Sequence, residues 1–180
     1  MSRGSVGSQP AAGGTPAGAL VVVLAVLLAA AAGPLGAAPE GTGLPLPRFV
    51  HLRAQEVNLR TGPGVQYPVE WVYHRQNLPV EIIAEYNTWR KVRDWQGTQG
   101  WVHQSMLGGE RTFIVVGAVR TIRRSSGTKS PPQARAEPGV IGRLLACPGE
   151  SAWCEVEIGN VRGWLRRVEF WGTYQAETVK

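Results

Sequence analysis

The chain has 180 residues, enough for one ordinary domain or two small ones. Lys and Arg number 19 against 13 Asp and Glu, a formal net charge of +6 spread along the chain rather than clustered. Such an excess accommodates an anionic partner (wall polymer, lipid head groups, an acidic protein) but also describes a solvated surface. Cys147 and Cys154, with six residues between them, do not have a zinc spacing, and no His or Cys nearby completes a four-ligand set. Neither metal nor cofactor is expected.

Met1 to Thr15 is Gly, Ser, Ala and Pro with a single charge, Arg3. An apolar run of 16 residues follows from Ala17 to Ala32, short of the roughly 20 needed to cross a bilayer, and then Gly33-Pro34. A basic start, a short apolar core and small residues at Ala30-x-Ala32 read as a secretory signal, so residues 1–38 are expected to be a signal peptide or anchor. Cleavage would leave a periplasmic or extracellular protein. An uncleaved segment would instead hold it in the inner membrane facing outward, a membrane association through the N-terminus. Either route removes nucleic acid as a partner. In an exported protein Cys147 and Cys154 would most simply form one disulfide.

Residues 39–53 read as a linker rich in Pro and Gly, with Phe49 to Arg53 as a lead-in strand. From Glu56 the apolar runs become short, β-branched or aromatic: Val57 to Arg60, Val69 to Tyr73, Leu78 to Tyr86, Trp89 to Asp94 and Trp101 to His103. Gly, Pro and Asn bound them, and none has helical periodicity. Five short strands with tight turns in about 50 residues predict a small β-barrel.

The order Val57-Asn58-Leu59-Arg60-Thr61-Gly62-Pro63-Gly64, Trp89-Arg90-Lys91-Val92, Gly100-Trp101-Val102 resembles the bacterial SH3-like (SH3b) domain. That family opens with a V-N-hydrophobic-R-x-G-P strand and turn and closes with a tryptophan strand followed by G-W-V. The resemblance implies a partly open barrel used as a binding module outside the cytoplasm, often on cell-wall material. It does not imply catalysis.

The second half repeats the pattern in weaker form. Val119 to Arg123 corresponds to the opening strand, Trp153 to Ile158 to the tryptophan strand, and Gly163-Trp164-Leu165 to Gly100-Trp101-Val102. The loop from Ser125 to Pro132 reads as longer than the Thr-Gly-Pro-Gly turn. The tryptophan pairs are 12 and 11 residues apart, a strong sign of an internal repeat. Phe113 to Val116 would serve either as the last strand of one barrel or the first of the next. The expectation is all-β: two tandem small SH3-like, partly open barrels at 54–110 and 111–173, the second containing the disulfide, and a tail at 174–180. Tyr86 and Arg90 would occupy the places of the two cysteines.

Trp89, Trp101, Trp153 and Trp164 recur in both repeats and read as core or rim. Trp71, Tyr73 and Trp95 have no aromatic counterpart in the second repeat. They are the candidates for a ligand platform, with His74 and His103 adding polar contacts. Histidine alone more often caps or faces solvent than catalyses. The histidines lie before Leu107 and the cysteines after it, and no nucleophile elbow, metalloprotease or phosphate-loop motif occurs. The sequence therefore predicts an exported, non-catalytic module that binds a cell-envelope ligand, peptidoglycan or its peptides. The alternative is a periplasmic adaptor docking an envelope enzyme or complex.

Overall fold

The structure is a computed structural model that describes residues 41–180; the leader expected over 1–38 lies outside the described residues. The chain lays down β1 (Arg48–Leu52), β2 (Val57–Arg60), β3 (Val69–Tyr73), β4 (Pro79–Tyr86), β5 (Trp89–Arg93), β6 (Gln99–His103), a 3-10 turn (Gln104–Met106) and β7 (Leu107–Gly108). The same series follows again as β8 (Thr112–Val115), β9 (Arg120–Arg123), β10 (Pro132–Ala136), β11 (Ile141–Ala146), β12 (Trp153–Ile158), β13 (Val161–Arg166), a turn (Arg167–Glu169) and β14 (Phe170–Trp171).

Each half is one strongly bent antiparallel sheet of seven strands, in the spatial order β3-β2-β6-β5-β4-β1-β7 and β10-β9-β13-β12-β11-β8-β14. Neither sheet closes, because β3 and β10 keep a free edge. The all-β expectation of two partly open SH3-like units holds. The lead-in strand is more than linker: β1 pairs with β4 through Phe49↔Glu81 and with β7 through Leu52↔Leu107, inside the stretch read as 39–53.

Alternation along the strands explains the cores. Val57 and Leu59 of β2, Val80 and Ile82 of β4, Val92 and Val102 point inward and are fully or almost fully buried. Ile122, Leu144, Val156 and Leu165 do the same in the second half. The glycine before each second tryptophan has a packing reason. A Cβ at Gly100 would stand 2.5 Å from Leu59 Cγ, and one at Gly163 2.5 Å from Ile122 Cγ2. Only glycine lets β6 and β13 pass this close to β2 and β9.

One further reading changes and two gain detail. The loop of the second repeat is not longer: Thr61 N bonds Pro68 O at 3.1 Å, and Arg124 N bonds Pro131 O at 3.1 Å, so both loops close at the same point. Within the tail read as 174–180, Val179 exchanges both backbone bonds with Cys147 at 2.9 and 3.0 Å and is buried. Phe113 to Val115 belongs to β8, the first strand of the second sheet, yet Ile114 packs into the core of the first.

That last contact continues into an aromatic seam. Phe49 meets Trp171 edge-on at 4.7 Å and Tyr174 at 4.8 Å, with the Arg111 guanidinium 5.5 Å over its ring. Tyr174 Oη donates to Glu81 Oε1 at 2.8 Å, and Arg75 donates to Gly139 O at 2.6 Å. Val116, Ile141 and Trp171 also lean on the first core. Aromatic packing, with the Tyr174–Glu81 and Arg75–Gly139 hydrogen bonds across the boundary, makes the two repeats one body.

Candidate functional site

Each repeat carries a cleft at the same place. In the first, Glu56, Asn58 and Arg60 along β2 form one side, Val65 of the following loop overhangs it, and Trp89 and His103 form the other side. Met106 closes the end, and the cleft encloses about 250 Å³. Trp89 starts β5, and His103 ends β6 directly opposite it in register. The rings meet edge-to-face, 5.4 Å apart at 79°, leaving the half-buried Trp89 with an open surface. His103 Nδ1 lies 2.8 Å from Ser105 Oγ, an arrangement that fixes the ring as it caps the short turn.

The arginine of the opening motif shapes this cleft. Arg60 donates from Nη1 to Val65 O at 3.1 Å and Tyr67 O at 2.7 Å, bracing the loop against β2. Arg123 in the second repeat makes the corresponding bond to Ser130 O at 2.6 Å. Gly62 has its own constraint, since a Cβ there would meet the Tyr67 ring at 2.4 Å. The Arg-x-Gly part of the motif thus holds the loop in place.

The second cleft is built from the matching positions: Val119, Thr121 and Arg123, then Thr128 of the loop, Trp153 for Trp89 and Arg166 for His103. Glu169 stands where Met106 does, and the volume is about 200 Å³. The floor is shared while the walls differ in chemistry.

The predicted platform separates. Trp71 is 55% exposed on the free edge strand β3. Tyr73, expected beside it, is instead buried, and its Oη donates to Asp94 Oδ2 at 2.9 Å. Burial, and then the charge of Asp94, push the Tyr73 phenol well above its ordinary range. Asp94 Oδ1 accepts from the backbone of Gln96 and Thr98, both at 2.9 Å, so Tyr73 clamps a turn and offers no ligand surface. Trp95 is half-buried against the first core. His74 is exposed, 3.7 Å from Glu56, and stands outside the cleft. Of the predicted residues only His103 lines it. Trp89 does so too; its recurrence in both repeats, read as a sign of rim or core, was also the available signal for a shared cleft.

Cys147 and Cys154 are disulfide-bonded, and the described residues hold no free cysteine. No group of three His, Cys, Asp or Glu among the described residues is placed to hold a metal, and no described helix is long and apolar enough to cross a membrane.

Residues 53–109 and 117–172 each match the bacterial SH3 domain. The chain belongs to this family, as two copies in tandem. Bacterial SH3 domains are generally cell-wall binding modules and usually act outside the cytoplasm. Two solved structures are similar over part of their length: NlpC2 from Trichomonas vaginalis (10% identity, TM-score 0.33, covering 71% of this chain and 48% of that one) and NlpC1 from Trichomonas vaginalis (10% identity, TM-score 0.32, 74% and 48%). This chain therefore spans about half the length of those two proteins. No curated protein matches it.

Proposed function

We propose that the protein is an exported, non-catalytic binding module whose first-repeat cleft takes a segment of peptidoglycan or its peptide stems. The observation that carries this is the cleft between the braced loop and Trp89, recurring at the same positions in the second repeat. An open indole face flanked by Asn58, Glu56 and His103 suits a ligand with alternating apolar and hydrogen-bonding faces, as a sugar or a short peptide has. The disulfide suits an oxidising compartment. The two thiols are tied to each other, which supports a role without nucleophilic chemistry.

Retention of the purified protein on purified peptidoglycan tests the reading. Trp89→Ala and Asn58→Ala should each lower retention by about tenfold, about 1.4 kcal/mol. Circular dichroism confirms that the variants stay folded. No retention of the unaltered protein would sink the wall-ligand reading.

A second reading, a periplasmic adaptor, draws on Trp71. It stands exposed with Val69 on the unpaired edge β3, where a partner strand could add by main-chain bonds. A pull-down that yields one defined protein partner, lost in Trp71→Ala and accompanied by no wall retention, would favour it.

A further inference from the structure

The matching segments of the two repeats differ sharply in charge. From Glu56 to Tyr73 the first repeat has Glu56, Arg60 and Glu70, one cation against two acids. From Val119 to Ala136 the second has Arg120, Arg123, Arg124, Lys129 and Arg135, five cations and no acid. The chain-wide view of an evenly spread charge conceals this contrast.

Folding brings Arg120, Arg123 and Arg166 into the lining of the second cleft, with Lys129 and Arg135 beside it. The β10–β9 register sets Arg135 opposite Thr121, and Thr121 lines the second cleft with Arg123. Lys129 follows Thr128 at the loop tip, and Arg166 enters from β13 in the place of His103. Some of this charge is committed. Arg120 donates to Val116 O at 3.1 Å, Arg123 to Ser130 O, and Arg166 stands 3.3 Å from Glu169. Arg124, Lys129 and Arg135 are exposed and make no ion pair among the described residues. Where the first cleft has Glu56, Val65 and Met106 the second has Val119, Thr128 and Glu169, so it gains a hydroxyl, and its one carboxylate is held by Arg166.

We propose that the cleft of the second repeat is an oxyanion site, taking a carboxylate or phosphate group carried by the envelope ligand. This rests on the wall-binding reading above and assigns the second repeat a different ligand group from the first. Guanidinium groups match such oxyanions in geometry as well as charge, and Trp153 gives the site a flat wall. Because the seam fixes the two clefts in one body, a polymer carrying both groups would engage them together, which raises avidity without new contacts.

The test follows the Trp153 indole N–H signal in two-dimensional NMR of the full chain, assigned with Trp153→Phe. The titrants are triglutamate, tripolyphosphate and vesicles of anionic phosphatidylglycerol. Saturable movement of the Trp153 signal by triglutamate identifies a carboxylate source, and by tripolyphosphate a phosphate source; either supports the site. Lys129→Glu/Arg135→Glu should weaken that binding at least about tenfold, about 1.4 kcal/mol, with a shallower salt dependence. Arg53→Glu/Lys180→Glu, the same change in net charge outside residues 119–136 and the cleft, should leave it within about twofold. A signal unmoved by either oligoanion, equal loss in both double variants, or a response to vesicles alone would overturn the proposal. Wall retention measured in parallel separates the two readings: retention that persists while the oxyanion response is absent removes this site and leaves the wall-binding module standing.

Discussion

The Glu85 carboxylate lies 3.1 Å from Arg90 Nε, at the paired positions that Cys147 and Cys154 occupy in the second repeat. Glu85 and Arg90 face each other across β4 and β5. The two repeats therefore close the same hairpin by different chemistry. Arg90 also donates to Asn87 O at 2.7 Å, Trp89 O at 2.9 Å and Gln104 Oε1 at 2.6 Å. In the second repeat the hairpin carbonyls of Pro148 and Ser151 instead receive the Arg167 guanidinium, at 2.8 and 2.7 Å, beside the disulfide. The residue opposite Arg90 is Glu85, one place before the Tyr86 expected from the sequence.

The Glu85 carboxylate makes stability depend on pH. Burial alone would raise the Glu85 carboxyl, but hydrogen bonds from Arg48 and Thr42 and the charge of Arg48 outweigh it and hold the group at about 2, below its ordinary 4.5. A lowered folded value means the stabilisation is fully present above the unfolded value and disappears as pH falls through the folded one. Urea midpoints should be flat from neutral pH to about 5 and fall between about 4.5 and 2, by up to about 3 kcal/mol. In Glu85→Gln that part of the decline should be missing. An unchanged acid limb in the variant would assign the loss to other carboxylates.

Cys147→Ser/Cys154→Ser should cost about 2–3 kcal/mol in chemical denaturation, the chain-entropy value for so short a loop. Cys147 also pairs with Val179, so the loss should reach the C-terminus. Hydrogen exchange at the Cys147 and Val179 amides should rise more than at Val92 and Val102 in the first core. Uniform protection across both repeats would show that the tail is held by Arg111–Glu177 and Arg167 alone.

The repeat was legible because its landmarks answer to packing: Gly100 and Gly163 must be small, and Trp89 and Trp153 hold one place on β5 and β12. What depended on register was not. Glu81 pairs with Arg93 and Arg143 with Glu157, an ion pair at matching strand positions with its polarity reversed. A search for identical residues passes over such a match. Tyr73 and Trp71 share the lack of an aromatic counterpart in the second repeat, which groups them in the sequence but does not place them on one surface. β3 is an edge strand: Tyr73, opposite Val57, is buried and bonds Asp94, while Trp71, opposite Leu59 and next to the bulge that precedes it, stays exposed. The cationic rim of the second cleft was diluted by reading charge over the whole chain, and needed the pairing of β9 with β10 to become a surface.

The seam predicts how the repeats unfold. Phe49 is 8% exposed and contacts Trp171 and Tyr174, so Phe49→Ala should cost about 3 kcal/mol or more through the cavity and lost ring contacts. The unaltered protein should melt in one transition by calorimetry. The variant should show two, with the disulfide-bonded second repeat melting later. A single transition at lower temperature would mean that Ile114 in the first core couples the repeats without the aromatic cluster.

Arg60 separates loop bracing from ligand contact. Arg60→Ala removes the bonds to Val65 O and Tyr67 O, each from a charged donor and worth about 1.5–3 kcal/mol where desolvated and less at this exposed site. Amide exchange across residues 61–68 should accelerate, and wall retention should fall even though Trp89 is unchanged. Lys at this position supplies a single flexible ammonium in place of the planar fork, so Arg60→Lys should recover part of both. Arg123→Ala should loosen the loop of the second repeat by the same mechanism, because one guanidinium there holds Ser130 O. If retention falls in Arg60→Ala while exchange across 61–68 does not change, Arg60 touches the ligand itself and the bracing account is wrong.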